Sequence, residues 1–121
     1  MKKPILNKSI FFILLFFTVG ITFSQRKDIK KADKDFDKFA YIDAREIYLK
    51  VVKDGYKSAE IYKKLGDTYY YNSDYDNAAK WYSKLVNEYP DKTEADYYYR
   101  AAQSLKSLGK YKESDELMKQ F

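Results

Sequence analysis

From residue 28 onward, apolar residues recur every three or four positions, with charged residues filling the spaces between them. This is the period of amphipathic helices, each burying one stripe. Ile29, Ala32, Phe36 and Phe39 place a narrow stripe on a first helix over Arg26 to Ala40. Ile42, Ala44, Ile47, Tyr48, Val51 and Val52 mark the inward face of a second, over Tyr41 to Asp54, which Gly55 ends in a left-handed cap. Ser58 is the expected N-cap of a third helix running to Tyr71. Asn72 and Ser73 form a turn, and Asp74 caps a fourth helix whose broad stripe includes Tyr75, Ala78, Ala79, Tyr82, Leu85, Val86 and Tyr89. Pro90 stops it. Thr93 to Asp96 reads as a capping-box variant opening a fifth helix, which Gly109 ends, and Tyr111 begins a sixth.

Side-chain size within these stripes is more specific than their period. From Ile61 to Pro90, Tyr62, Leu65, Gly66 and Tyr69 are followed after the turn by Tyr75, Ala78, Tyr82 and the closing Pro90. Small residues alternate with large ones, as interlocking helices require. The pattern recurs: Ala44 lies 34 residues before Ala78, and Ser114 lies 36 after it. Tyr41, Ala44 and Tyr48 repeat the spacing of Tyr75, Ala78 and Tyr82, while Tyr98, Ala101, Ala102 and Leu105 take the places of Tyr62, Leu65, Gly66 and Tyr69.

This order resembles the tetratricopeptide repeat, a helix–turn–helix unit of about 34 residues. Tyr62 stands where that family usually has Trp, and Leu85 where it usually has Ala. The resemblance implies an all-α fold: a right-handed superhelical stack of about three repeats, over residues 28–56, 58–91 and 93–121, within a domain spanning 25–121. One such repeat cannot bury its apolar face alone, so neighbours are required. The repeat-packing residues are then Ala44, Tyr62, Leu65, Gly66, Tyr69, Ala78, Tyr82 and Ser114. The stripe of Leu117, Met118 and Phe121 has no polar capping element after it, so the chain is expected to be the front part of a longer protein.

Residues 1–24 form a separate unit. A basic start precedes an apolar run from Ile10 to Phe23, and Thr22 and Ser24 are small residues suited to a cut before Gln25. This reads as a secretory signal peptide. The run is shorter than the roughly 20 residues a helical span needs, so no membrane span is expected after cleavage. The leader also distorts the charge. It holds three of the 23 basic residues and none of the 18 acidic ones, so 20 remain against 18, a net +2 rather than +5. With both signs interspersed through every helix, nucleic acid is not an expected partner.

Candidate chemistry is sparse. The sequence has no Cys and no His, which excludes thiol nucleophiles and thiolate or imidazole metal sites. Asp33, Asp35 and Asp37 imitate the start of a calcium loop, but Lys38 and Ala44 stand where its Gly and Glu belong. No base or ligand set points to an enzyme, a cofactor or a metal. The surplus is tyrosine, 14 residues. Eight fall at packing positions of the repeat: Tyr41, Tyr48, Tyr62, Tyr69, Tyr75, Tyr82, Tyr98 and Tyr111. In such a stack the first helix of each repeat lines the concave groove. That placement implies a partner-binding surface of Lys63, Asp67, Tyr70, Tyr71, Tyr99, Gln103 and Lys106. Asp67 stands where repeats that clamp a C-terminal carboxylate usually have Asn, so its charge argues against that mode. The chain is therefore read as an exported protein–protein interaction module without catalytic activity. The alternative is a structural spacer, or a dock for later domains of the same protein. The leader followed at once by Tyr- and Lys-rich repeats also resembles the N-terminal segment of Bacteroidota outer-membrane proteins of the OmpA-like, peptidoglycan-associated type. That resemblance implies a periplasmic or outer-membrane location and an envelope protein as partner, with peptidoglycan reached only through domains outside this sequence.

Overall fold

The computed structural model describes residues 21–121, so the leader, apart from its last four residues, lies outside them. Six α-helices and no strand occur among the described residues: α1 Phe23–Asp37, α2 Tyr41–Lys53, α3 Ala59–Tyr70, α4 Tyr75–Glu88, α5 Ala95–Ser107 and α6 Tyr111–Met118. A short 3₁₀ turn, Pro90–Lys92, joins α4 to α5. No described helix is long and apolar enough to cross a membrane.

Three boundaries differ from the sequence reading. α1 ends at Asp37 rather than Ala40, because Phe39 takes a φ of 63°. α1 starts at Phe23 rather than Arg26, because Thr22 accepts the backbone N–H of Gln25 while Gln25 reaches back to the Thr22 N–H. This is a reciprocal capping box. It was missed because those residues were assigned to the leader. α5 does not open on the expected box. Its N-cap is Glu94, without a side-chain cap bond, and the Thr93 hydroxyl donates instead to the Tyr89 carbonyl at 2.7 Å. Thr93 thus closes the end of α4 rather than the start of α5. Ser58 and Asp74 do cap α3 and α4, accepting from the backbone N–H groups of Ile61 and Asn77.

Each helix packs on the next in the chain, and α3 also touches α5. A linear series of neighbour contacts is what a repeat stack requires. Ala44 and Ala78 are fully buried at the crossings, and Ser114 is buried with its hydroxyl donating to the Ala102 carbonyl at 2.7 Å. Tyr48, Tyr62 and Tyr82 are the largest fully buried side chains, followed by Leu65 and Leu85, which share a core cluster with Tyr48 and Tyr62. At Gly66 a Cβ would lie 2.3 Å from Cε1 of Tyr82, so only glycine admits that ring.

The turns inside the three repeats share one device. Phe39, Ser73 and Gly109 have φ of 63°, 61° and 77°, and they stand 34 and 36 residues apart. Only the third position is glycine, which alone reaches this region without steric cost. Inward assignments fail at three positions: Phe39, 77% exposed at the turn after α1, Ile42 and Tyr111. Ile42 is 59% exposed and Tyr111 is 62% exposed, because no described helix covers the faces they occupy.

Candidate functional site: the face shared by α3 and α5

The seven residues assigned to the groove separate into buried and open sets. Asp67 and Lys63 are buried, contrary to expectation. Asp67 Oδ1 accepts from the Tyr82 hydroxyl at 2.6 Å and from Arg100 Nη1 at 2.7 Å, while Oδ2 accepts from the Tyr97 hydroxyl at 3.1 Å. Three donors from α4 and α5 thus converge on one α3 carboxylate, and such a group is stable in the interior only when so satisfied. Burial foremost, with the neighbouring Asp67 charge, raises the Tyr82 and Tyr97 phenols above their usual range. Lys63 Nζ lies 2.7 Å from Glu94 Oε2 and 2.9 Å from Oε1, tying α3 to the N-cap of α5. Its hydrogen bond holds the Glu94 carboxyl below the ordinary carboxylate range. Both residues join repeat two to repeat three rather than meeting solvent. The repulsion expected of Asp67 toward an anion therefore does not act on the groove.

The remaining five line an open surface. Tyr71 is 45% exposed and Tyr99 39%; Lys106 is exposed, and Tyr70 and Gln103 are half-buried. The Tyr70 hydroxyl donates to Gln103 Oε1, and Gln103 Nε2 donates to the Tyr99 hydroxyl at 2.7 Å. The Arg100 guanidinium, already paired with Asp67, lies 5.6 Å from the Tyr71 ring centre and 5.9 Å from that of Tyr70. An open notch of about 460 Å³ follows, lined by Tyr70, Tyr75, Gln103, Lys106, Ser107 and Tyr111. Tyr75, Tyr111 and Ser107 were not assigned to this surface from sequence. Tyr75 and Tyr111 occupy packing positions of the repeat, and only the angle between successive repeats shows that they also border the notch.

Aromatic rings continue from this notch toward the first repeat. Tyr70 meets Tyr75 and Tyr71 edge-on at 5.8 and 5.9 Å, Tyr71 lies 5.2 Å from Tyr41, and Tyr41 lies 6.2 Å from the exposed Phe39. Rigid rings with outward hydroxyls supply contact area at small entropic cost. Among the described residues no group of carboxylates is arranged to hold a metal ion.

The profile of the tetratricopeptide repeat matches residues 58–92 and 95–121, together just over half of the chain. The chain is a tetratricopeptide-repeat protein. Repeats two and three carry the match, and the first repeat, over α1 and α2, lies outside it. Among solved structures the fold is similar to that in the crystal structure of PcrH in complex with the chaperone binding region of PopB. The TM-score is 0.68 at 16% identity, over 81% of this chain and 78% of that one. No curated protein matches the chain in sequence. The tetratricopeptide repeat is a protein-interaction scaffold, generally without catalytic activity.

Proposed function

We propose that this protein is an exported interaction module that holds a segment of another envelope protein against the α3–α5 face. The observation that carries the reading is the tyrosine-lined notch between repeats two and three, open to solvent yet built on buried, hydrogen-bonded supports. Exposed aromatic surface on a rigid frame is the usual mark of a protein interface. The PcrH structure, which holds the chaperone binding region of PopB, gives a precedent for a stack of this shape receiving a piece of another protein. Export rests on the basic and apolar leader of residues 1–24. A place in front of OmpA-like domains rests on the resemblance of the leader and repeats to that group. No catalytic step is assigned.

The test is site-specific photo-crosslinking in cells, with the probe at Tyr71, Tyr99 or Tyr111, and at Lys84 on the exposed outer side of α4 as control. The expected result is one common partner captured from the three groove positions in an envelope fraction and not from Lys84. Equal capture from all four positions, or a chain confined to the cytosol, would remove the reading.

A further inference from the structure

The α3–α5 face has a polarity as well as a shape. Tyr99, Gln103 and Lys106 stand four and three residues apart on α5, so they form one stripe. The hydrogen bonds along it run one way. Tyr70 donates to Gln103, and Gln103 donates to Tyr99. The Tyr99 oxygen is therefore used as an acceptor, and its own hydroxyl hydrogen is left to point outward. Lys106, one turn further on, adds an exposed ammonium with no carboxylate within ion-pair distance among the described residues. Both ends of the stripe thus present donors.

The surrounding charge agrees. None of the six residues lining the notch is acidic, and Lys106 is the cation among them. Asp67 is covered by Arg100, Tyr82 and Tyr97. Of the acids of the last repeat, Glu94 is paired with Lys63, and Glu113 and Glu116 line a separate crevice with Ser83, Val86, Asn87, Leu105 and Leu117. A neutral partner would leave the Lys106 ammonium and the Tyr99 hydroxyl without matching acceptors once water is excluded, which is costly. An anionic partner would satisfy both through charge-assisted hydrogen bonds.

We infer that the partner is an extended acidic segment that places two carboxylate side chains on this stripe, one at the Tyr99 hydroxyl and one at Lys106. The spacing follows from geometry. Seven residues of α-helix separate those donors by about 10 Å. Three residues of polyproline II chain cover about 9 Å and return the side chain to the same face. The two acids should therefore stand three positions apart, with an apolar or aromatic residue between them entering the tyrosine-lined notch. Gln103 is the positioning residue, because it fixes the direction of both phenols.

This inference rests on the groove reading above, and its test separates the two. A fluorescein-labelled Ser-Glu-Phe-Ala-Glu-Ser peptide and its Gln isostere would be titrated with the protein, following anisotropy at low and raised salt. The Glu peptide is expected to bind about tenfold tighter than the Gln peptide, with the difference shrinking as salt screens it. Lys106→Gln and Tyr99→Phe should each abolish most of that difference while leaving the circular dichroism and melting temperature unchanged. Gln103→Leu should weaken the preference and Gln103→Glu should reverse its sign. Equal affinity for the two peptides, or an acid preference indifferent to Lys106→Gln, would overturn the acidic partner and leave the groove standing. Absence of binding by either peptide alongside successful crosslinking from Tyr99 would do the same. Failure of both experiments would overturn groove and partner together.

Discussion

Gly66 and Tyr82 show how one atom sets the distance between two helices. The Tyr82 ring is fully buried, lies where a Cβ of residue 66 would be, and is fixed by its hydrogen bond to Asp67. Alanine is ordinarily the better helix former by about 1 kcal/mol. Here the ring cannot yield without breaking the Asp67 network, so overpacking wins. Gly66→Ala is expected to destabilise the protein by about 2 kcal/mol in chemical denaturation. The loss should shrink in a Tyr82→Leu background, and an unchanged midpoint for the single variant would show that the ring moves freely. The pairing of Asp67 with Tyr82 recurs one repeat earlier, where the Tyr48 hydroxyl donates to Asp33. Asp33 is thus part of a packing pair and not of a cation loop. In the third repeat Gln103 and Met118 take these places, and Gln103 is free to turn toward Tyr70 and Tyr99. A substitution that ends an internal pair supplies an element of the surface.

The helices follow from local signals wherever those signals are short-range. Ser58 and Asp74 cap α3 and α4 as their sequence positions imply, and glycines at 55 and 109 take positive φ at helix ends. The turn between α3 and α4 is less easily read. Ser73 holds a φ of 61° without being glycine, and nothing in its side chain announces this. The conformation is imposed by the two helices, which must fold back on each other within four residues, Tyr71 to Asp74. Left-handed backbone costs an L-residue about 1–2 kcal/mol. Ser73→Gly should therefore raise stability by about 1 kcal/mol, after allowance for the extra freedom glycine gains when unfolded. A fall in the denaturation midpoint would show that the Ser73 side chain makes a contribution larger than its strain. Phe39 shares the strained conformation and is 77% exposed, so its ring is presented at the turn edge rather than packed.

At the scale of the whole stack, shielded phenols run through every repeat: Tyr48, Tyr62 and Tyr82 are buried and Tyr97 is half-buried. Burial is the main cause in each case; it pushes Tyr62 up to about 12 and the other three higher still. In the unfolded chain they ionise near pH 10. The folded state therefore retains protons that the unfolded state has released, and unfolding becomes easier as pH rises. Stability from these groups is fully present below about pH 10 and falls continuously through about pH 12, where Tyr62 ionises in place. Tyrosinate absorbance from Tyr48 and Tyr82 should appear together with loss of helical circular dichroism. A denaturation midpoint that stays level up to about pH 12 would contradict the burial of these hydroxyls.

The sequence by itself determined six helices, their approximate ends, the repeat of 34 and 36 residues, and the small residues at each crossing. Those features depend on contacts within about one repeat, and periodicity records them directly. It also placed Tyr70, Tyr71, Tyr99, Gln103 and Lys106 on the helices that meet at one face. Tertiary structure decided which side chains that face exposes. Asp67 and Lys63 look like surface residues until Arg100 and Glu94, 33 and 31 residues away, neutralise them in the interior. Tyr111 and Ile42 look internal until the absence of a covering helix among the described residues leaves them open. A charged side chain's position depends on a partner that no local pattern encodes. Burial is a property of the stack, and the hydrophobic period records only the half that each helix contributes.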